Sequence, residues 1–228
     1  MSVIRSKKEK RERLAAVIAD LEKLYPVAPC ALEYENDPWR LLVMARLSAQ
    51  CTDARVNIVC KELFAKYPNP KAMAEAELAD IEAIVKPCGL YRMKAESIKA
   101  ASEIIERDYA SVVPSDMDSL LALPGVGRKI ANLIIGDVFG GEAIVCDTHF
   151  IRILGRIGMY PESLKDAVKI EFIIRDLMDP SLGSDFCHRV VMFGREICTA
   201  RSPKCLECPI AYLCEKAKKE GIDCVTEA

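Results

Sequence analysis

The sequence lacks the patterns that are typical of membrane-spanning and secreted proteins. It has no apolar run of about 18 residues, the length that a membrane-spanning helix needs. It opens with a highly charged segment over residues 3–13, so we expect no secretory signal. Sustained alternation of apolar and polar residues, which marks a half-buried strand, is also missing. This absence predicts an all-α fold.

A basic excess is missing as well. The formal net charge is −2 at pH 7 and the pI is about 5.9, whereas proteins that bind duplexes usually carry a basic face. The charge is unevenly spread, however. Residues 5–13 hold six Lys or Arg against two Glu, and residues 189–204 hold four against one. The overall balance therefore argues mildly against a nucleic-acid partner without excluding one.

Cysteine, by contrast, is abundant, with eleven residues. Without a secretory signal this number indicates thiols in a reducing compartment or metal ligands, and not a disulfide framework. Four cysteines have six, two and five residues between them: Cys198, Cys205, Cys208 and Cys214. Four thiolates at this spacing suit an iron–sulfur cluster or zinc. The other seven are scattered, and we interpret most of them as small buried hydrophobes.

Residues 116–139 carry the most informative motif, a short helix, a glycine turn and a second helix. Pro124 ends the first helix because it has no N–H to donate. Gly125 and Gly127 allow positive φ and a close approach to the backbone. The second helix is expected to start at Arg128, and its first N–H groups would form an anion site that fits a phosphate. The pattern predicts a helix-hairpin-helix DNA-binding element.

Lys129 falls in the first turn of that second helix. The positive end of the helix dipole and the adjacent Arg128 disfavour its ammonium form. With Ile130 taken as the centre of the apolar stripe, Lys129 lies at its edge, so we expect it to be half-buried. A neutral lysine amine can act as a nucleophile. The alternative is a surface lysine that binds phosphate.

Asp147 opens the amphipathic run HFIRILGRIG. The simpler interpretation is an N-cap, a position where Asp is preferred. A cap is compatible with chemistry, because backbone N–H groups that hold a carboxylate ionised would keep it able to stabilise a cationic sugar. Both interpretations stay open at this point.

The motif LPGVGRK at 123–129, the DTH at 147–149 and the four-cysteine array resemble the endonuclease III family of DNA glycosylases, over about Leu41 to Cys214. The resemblance implies a two-domain all-α fold. One domain, 31–141, would be a six-helix bundle with the helix-hairpin-helix element. The other, 1–30 with 142–228, would hold a [4Fe–4S] cluster. DNA would bind in the cleft between them, where Lys129 and Asp147 would meet.

The resemblance also assigns roles to further residues. Gln50 in LSAQCTD and Leu90 in CGLY would fill the gap left by an extruded nucleotide; otherwise they are a polar residue at a helix end and a core leucine. Arg201 and Lys204, on the loop between the first two cluster cysteines, would contact a phosphate, or else form a solvated face. The cluster would shape that loop and take no part in the chemistry.

The implied activity is base-excision repair. Lys129 would attack the sugar C1′ and form a Schiff base, and β-elimination would cut on the 3′ side, with Asp147 stabilising positive charge. The implied partner is damaged double-stranded DNA carrying oxidised pyrimidines. We expect a monomeric, cytoplasmic protein associated with the nucleoid. The alternatives are a mismatch-type thymine glycosylase and a non-catalytic iron–sulfur module that binds DNA. Cys51, Cys146 and Ile130 depart from the commoner family pattern and leave the substrate range open.

Overall fold

The structure is a computed structural model that describes residues 6–222, and over these residues it is all-α, as predicted. The described part contains twelve α-helices: α1 (Lys7–Leu24), α2 (Pro38–Leu47), α3 (Asp53–Lys66), α4 (Pro70–Ala74), α5 (Leu78–Val85), α6 (Tyr91–Tyr109), α7 (Met117–Ala122), α8 (Arg128–Asp137), α9 (Thr148–Ile157), α10 (Ala167–Arg175), α11 (Gly183–Glu196) and α12 (Glu215–Lys219). None of them is both long and apolar enough to cross a membrane.

The helices form two compact units. One is the continuous segment Cys30–Gly141, and the other combines Met1–Pro29 with Glu142–Ala228. Each unit has its own buried side chains, and each contains one of the two groups that the sequence marks for chemistry. Lys129 belongs to the first unit and Asp147 to the second.

The 30–141 unit is built around α2, which is apolar on nearly all sides. Leu41, Leu42, Val43, Met44 and Leu47 are all at most 1% exposed, so the helix contributes to the core all round. It packs against α3, α6 and α8. Burial on this scale contributes about 1.5–3 kcal/mol for each large aliphatic side chain. Helix α2 therefore forms the centre of this unit, and α3, α6 and α8 pack around it.

Helix α2 ends at Leu47, although the largely apolar run RLLVMARLSAQCT at 40–52 continues past it and would place Gln50 at the helix end. The hydroxyl of Ser48 donates to the carbonyl of Met44 at 2.9 Å, and Gln50 takes a positive φ of 55°. A left-handed residue cannot continue the helix. Gln50 consequently lies in a turn beyond the helix and not inside its last turn.

In the other unit, α9 and α11 pack together and α1 lies against α11. Phe150 and Phe186 meet edge to face with ring centroids 5.8 Å apart. Two bonds hold the end of α1: Arg189 Nε donates to the carbonyl of Tyr25 at 3.1 Å, and the Tyr25 hydroxyl donates to Glu196 at 2.8 Å. The N-terminal helix thus belongs to the same unit as the cysteine array.

The scattered cysteines are mostly buried, as expected. Cys60, Cys88, Cys146 and Cys187 are buried, and Cys30 and Cys51 are partly buried. The seventh, Cys224, lies outside the described residues.

Candidate functional site

The predicted helix, turn and helix are present. Helix α7 begins after Asp116, whose carboxylate accepts from the N–H of Ser119 at 2.9 Å, and α8 begins at Arg128. The turn is closed by the N–H of Val126, which donates to the carbonyl of Leu123 at 3.1 Å. No side chain caps the N-terminus of α8, because its N-cap is Gly127. The start of α8 can therefore offer backbone N–H groups to an anion.

The two glycines of the turn differ in what they require. Gly125 has φ of 78°, and an added Cβ would lie 2.6 Å from Arg46 Nε and 2.7 Å from Ser97 Cβ. Arg46 Nε itself donates to Ser97 Oγ at 2.8 Å, which links α2 to α6 beneath the turn. Only a residue without a side chain fits there. Gly125 thus packs the hairpin onto the core.

Gly127 does not use the positive φ that a glycine allows. Its φ is −96°, with extended ψ, and a Cβ built there would meet no atom within 4 Å. Its backbone conformation is open to any residue. What the glycine provides is the absence of a side chain at the first exposed N–H groups of α8.

Lys129 lies in the first turn of α8 as predicted, but its side chain is exposed, so the expected half-burial is wrong. The apolar stripe of α8 is centred on Ala131 and Ile134, both 0% exposed, and not on Ile130. At about 100° per residue, Lys129 points away from that centre. The amine is accessible to a ligand in the free protein.

Asp147 is the N-cap of α9, as the simpler interpretation predicted. Its Oδ1 accepts from the N–H of Phe150 at 2.7 Å, and the residue is half-buried. The hydrogen bond fixes the direction of the carboxylate relative to α9. A capping carboxylate can still act on a charge that develops beside it.

Two side chains that the sequence did not single out connect this helix start to the cysteine segment. Arg152 Nη2 lies 3.1 Å from His149 Nδ1 and donates to the carbonyl of Cys198 at 2.9 Å. An added Cβ at Gly194 would lie 2.4 Å from His149 Nδ1. Burial lowers the pKa of His149 below its ordinary value. The i, i+3 spacing of His149 and Arg152 is the signal that could have suggested the pair.

The four cysteines of the array line one cavity, together with Arg156, Ile153 and Phe193 among other residues. Cys198 and Cys205 flank a loop, and Cys208 and Cys214 follow in two short turns. Burial raises the pKa of the Cys208 thiol to about 12. A thiol in such a place becomes a thiolate when a metal centre binds it.

The two metal alternatives need different distances between the sulfur atoms. Four-coordinate zinc with bonds of about 2.3 Å would hold its sulfurs only about 3.8 Å apart. In the described part of the chain, no group of three ligand atoms within 4.8 Å of one another includes any of these cysteines. A four-iron cluster binds each thiolate to a different iron atom and so needs a wider cage. Four cysteine thiols around one cavity match the donor set of such a cluster.

Arg156 holds the segment that begins at Cys198, the first of the four cysteines. Its Nη1 donates to Cys198 Sγ at 3.3 Å and to the carbonyl of Thr199 at 2.8 Å, and its Nη2 donates to the carbonyl of Ala200 at 3.0 Å. The side chain is 9% exposed. This planar fork orients one sulfur and the loop that follows it. Sequence alone did not reveal this role, because the partners lie more than forty residues away.

The residues assigned to DNA contact by the resemblance are all accessible. Arg201 and Lys204 are exposed on the loop between the first two array cysteines. Gln50 is exposed, and Leu90 is 52% exposed, so the interpretation of Leu90 as a core leucine is wrong. Gln50 and Leu90 both have positive φ, 55° and 47°. Their location in two turns of the 30–141 unit is compatible with the roles implied for them.

The chain combines a glycine hairpin at the start of a helix with four cysteines around one cavity. This combination defines a class of protein, the helix-hairpin-helix DNA-binding proteins with an iron–sulfur centre. Residues 43–180 match the family described as HhH-GPD superfamily base excision DNA repair protein. Residues 198–214 match the iron-sulfur binding domain of endonuclease III.

Curated relatives and solved structures agree with these matches. The chain is 38% identical over 218 residues to endonuclease III of Synechocystis sp., covering 95% of this chain and 98% of that protein. It is 42% identical over 197 residues to endonuclease III of Bacillus subtilis, covering 86% and 89%. The solved structure of a trapped endonuclease III–DNA covalent intermediate is similar, with a TM-score of 0.87, 36% identity and coverage of 92% and 98%.

The chain therefore belongs to the endonuclease III family of the HhH-GPD superfamily. It is an enzyme of base excision DNA repair, a DNA glycosylase with AP lyase activity, and its cofactor is a [4Fe–4S] cluster. The predictions of family, fold class and cofactor are confirmed.

Proposed function

We propose that the enzyme removes oxidised pyrimidines from damaged double-stranded DNA through Lys129 and then cleaves the strand 3′ to the abasic site. The observation that carries this proposal is the exposed amine of Lys129 in the first turn of α8, directly behind the glycine turn. An amine and an anion site on the same helix end suit a reaction at a sugar whose phosphate is bound there.

The hairpin would bind the DNA backbone. The start of α8 has no side-chain cap and offers N–H groups and the positive end of a helix dipole to a phosphate. Gly127 leaves space in front of these groups. Phosphate binding of this kind does not depend on base sequence, which suits an enzyme that must recognise damage in any context.

Lys129 would act as the nucleophile. Its neutral amine attacks C1′, the bond from C1′ to the base breaks, and the base leaves with a proton. Opening of the sugar ring gives a Schiff base to C1′. Loss of a C2′ proton then expels the 3′ phosphate, and water hydrolyses the imine to release the amine. Because Lys129 is exposed in the free protein, any desolvation of the amine would have to come from the bound DNA.

Asp147 would stabilise the positive charge that develops at the sugar and assist the proton transfers. Its bond to the N–H of Phe150 leaves it oriented without a neutralising cation in that contact. A developing cation is stabilised most by a carboxylate that is already held in place.

Gln50 and Leu90 would fill the gap left in the duplex when the damaged nucleotide is extruded. Leu90 presents an exposed apolar side chain and Gln50 an exposed amide. The first can stack against bases, and the second can hydrogen-bond the unpaired base on the opposite strand. Both side chains stand on turns and not within helices, which leaves them free to enter a groove.

The cluster ligands would be Cys198, Cys205, Cys208 and Cys214. Iron–sulfur clusters of this kind are redox-active, but removal of a base by an amine needs no electron transfer, so we assign this cluster a structural role. It would hold the loop that carries Arg201 and Lys204, which would contact a phosphate. The enzyme would act as a monomer in the cytoplasm of a prokaryotic cell, at the nucleoid.

Borohydride trapping tests the proposal. The purified protein, incubated with a thymine glycol duplex, should become covalently linked to DNA on reduction, and Lys129→Ala should abolish the link and the strand cleavage. Lys204→Ala serves as the matched control, because it removes a proposed phosphate contact without removing the nucleophile. A Lys129→Ala protein that cleaves damaged DNA as well as the wild type contradicts the proposal.

The same assay separates the alternatives. A mismatch-type enzyme would act on a T·G duplex in preference to thymine glycol. A non-catalytic binding module would retain DNA without any trapped product.

A further inference from the structure

Lys94 is buried completely, although the proposed chemistry does not use it. Its side chain is 0% exposed, and it is among the largest side chains that are fully buried in the described residues. Burial lowers its pKa, and the neighbouring Cys88 and Cys51 oppose that shift. A buried lysine is costly unless its donors are satisfied. The contacts that satisfy it therefore indicate what it does.

The ammonium group donates to two backbone carbonyls that lie far apart in the chain. Lys94 Nζ is 2.8 Å from the carbonyl oxygen of Leu47 and 2.8 Å from that of Cys88. Leu47 is the last residue of α2, and Cys88 ends the short 3₁₀ turn Lys86–Cys88. One side chain thus connects the two turns through their backbones, beside the side-chain contact between Cys51 and Cys88.

Those two turns carry Gln50 and Leu90. Gln50 comes three residues after Leu47, and Leu90 comes two residues after Cys88. Both are non-glycine residues with positive φ, 55° and 47°. A left-handed conformation costs about 1–2 kcal/mol for a residue with a side chain, and it persists only where the surrounding structure fixes it. The two bonds from Lys94 hold the chain at the base of each strained residue.

We propose that Lys94 is a positioning residue that joins the two turns and thereby sets the separation and direction of Gln50 and Leu90. This proposal rests on the role proposed above for those two side chains in holding the duplex open. Without Lys94, two buried carbonyl oxygens lose their donors, and the backbone of each turn can move away from the position that the ammonium group sets. The Lys129 helix end makes no use of Lys94, so the chemical step itself stays available.

The test compares one reaction on two substrates. Lys94→Met keeps the length and the apolar stem of the side chain and removes both hydrogen bonds. Cleavage of an abasic site in a duplex requires the strands to be held apart, whereas cleavage of an abasic site in a single strand does not. We expect Lys94→Met to lower duplex cleavage by about tenfold or more, which corresponds to about 1.4 kcal/mol at the transition state. Single-strand cleavage should change by less than about threefold on the same scale.

Lys99→Met is the matched control. Lys99 stands on the same helix, and its ammonium donates to the carbonyl of Ala74, which belongs to neither turn. It should leave the ratio of duplex to single-strand cleavage unchanged. In a background that carries both Gln50→Ala and Leu90→Ala, Lys94→Met should add little further loss on the duplex, because the two side chains that it positions are already absent.

The outcomes are distinct. Equal losses on both substrates, or no loss on either, overturn the positioning role. If Lys94→Met does not fold, Lys94→Gln, which retains an amide donor, is tested in the same way. If that variant also fails to fold, Lys94 supports the whole unit, and the proposal is wrong. A wild-type protein that is not trapped by borohydride on either substrate refutes the proposed function instead.

Discussion

Replacing each glycine of the hairpin by alanine separates the packing of the turn from its contact with DNA. Gly125→Ala places a methyl group 2.6 Å from Arg46 Nε and 2.7 Å from Ser97 Cβ in a backbone that has φ of 78°. The left-handed conformation costs about 1–2 kcal/mol. Displacing Arg46 from Ser97 costs about 1 kcal/mol for the lost hydrogen bond. A small gain from the stiffer unfolded chain, about 0.5 kcal/mol, opposes these losses.

We therefore expect Gly125→Ala to destabilise the 30–141 unit by about 1.5–2.5 kcal/mol. Gly127→Ala meets no atom within 4 Å and has φ of −96°. Ala is a poorer N-cap than Gly, but the stiffer unfolded chain offsets this loss, so the net cost should be only a few tenths of a kcal/mol. Its methyl group would stand in front of the N–H groups of α8, so DNA affinity should fall by about tenfold or more, as expected when a phosphate loses backbone donors.

Urea unfolding followed by circular dichroism measures the first effect, and binding to a duplex that contains a non-cleavable abasic analogue measures the second. Both variants should be compared in one buffer, because phosphate contacts depend on salt. The reasoning is refuted if the two variants unfold at the same urea concentration. It is also refuted if Gly127→Ala binds DNA as tightly as the wild type.

Three further predictions concern the other unit. Asp147→Asn should leave the free energy of unfolding unchanged, because Asn caps helices as well as Asp does, but it should lower the rate of strand cleavage by about a hundredfold or more. Asp147→Ala should show the same loss of cleavage and should also lower the free energy of unfolding in urea by about 1 kcal/mol. Arg156→Lys removes the fork that holds Cys198 and the loop after it, so the absorbance of the cluster should bleach faster in the presence of a chelator than in the wild type; an equal rate would show that the fork does not matter. Burial lowers the pKa of His149, so the unfolded chain binds a proton there at a higher pH than the folded chain does. The free energy of unfolding should therefore fall as the pH drops below about 6.5, and His149→Gln should make that fall shallower. An unchanged slope of the free energy of unfolding against pH would contradict this reasoning.

The helices whose sequence is amphipathic or charged at its ends were predictable. The limits of α1 follow from its capping box and helical periodicity, those of α6 follow from periodicity without a side-chain cap, and the hairpin follows from its glycines. The end of α2 was not predictable in the same way. Ser48 and Gln50 leave the helix because of a side-chain bond and a left-handed backbone, and neither is visible as a break in the apolar pattern.

The site was predictable only where one segment contains the whole signal. The motif predicted that Lys129 lies in the first turn of α8, as observed. Its exposure depends on which face of α8 meets the core, and the apolar residues on both sides of the stripe left that face undetermined. Lys94 reads in the sequence as an ordinary charged residue of a helix. Its buried ammonium group is satisfied by the carbonyls of Leu47 and Cys88, which precede it by 47 and by 6 residues.

The arrangement of the two units has a consequence for biosynthesis. Cys30–Gly141 is one uninterrupted segment and can fold as soon as it leaves the ribosome, but α1 must wait for α11, since the bond between Tyr25 and Arg189 spans 164 residues. During translation the first helix made is thus among the last to find its partner. Iron and sulfide would be acquired at the end of synthesis, after the hairpin has already formed.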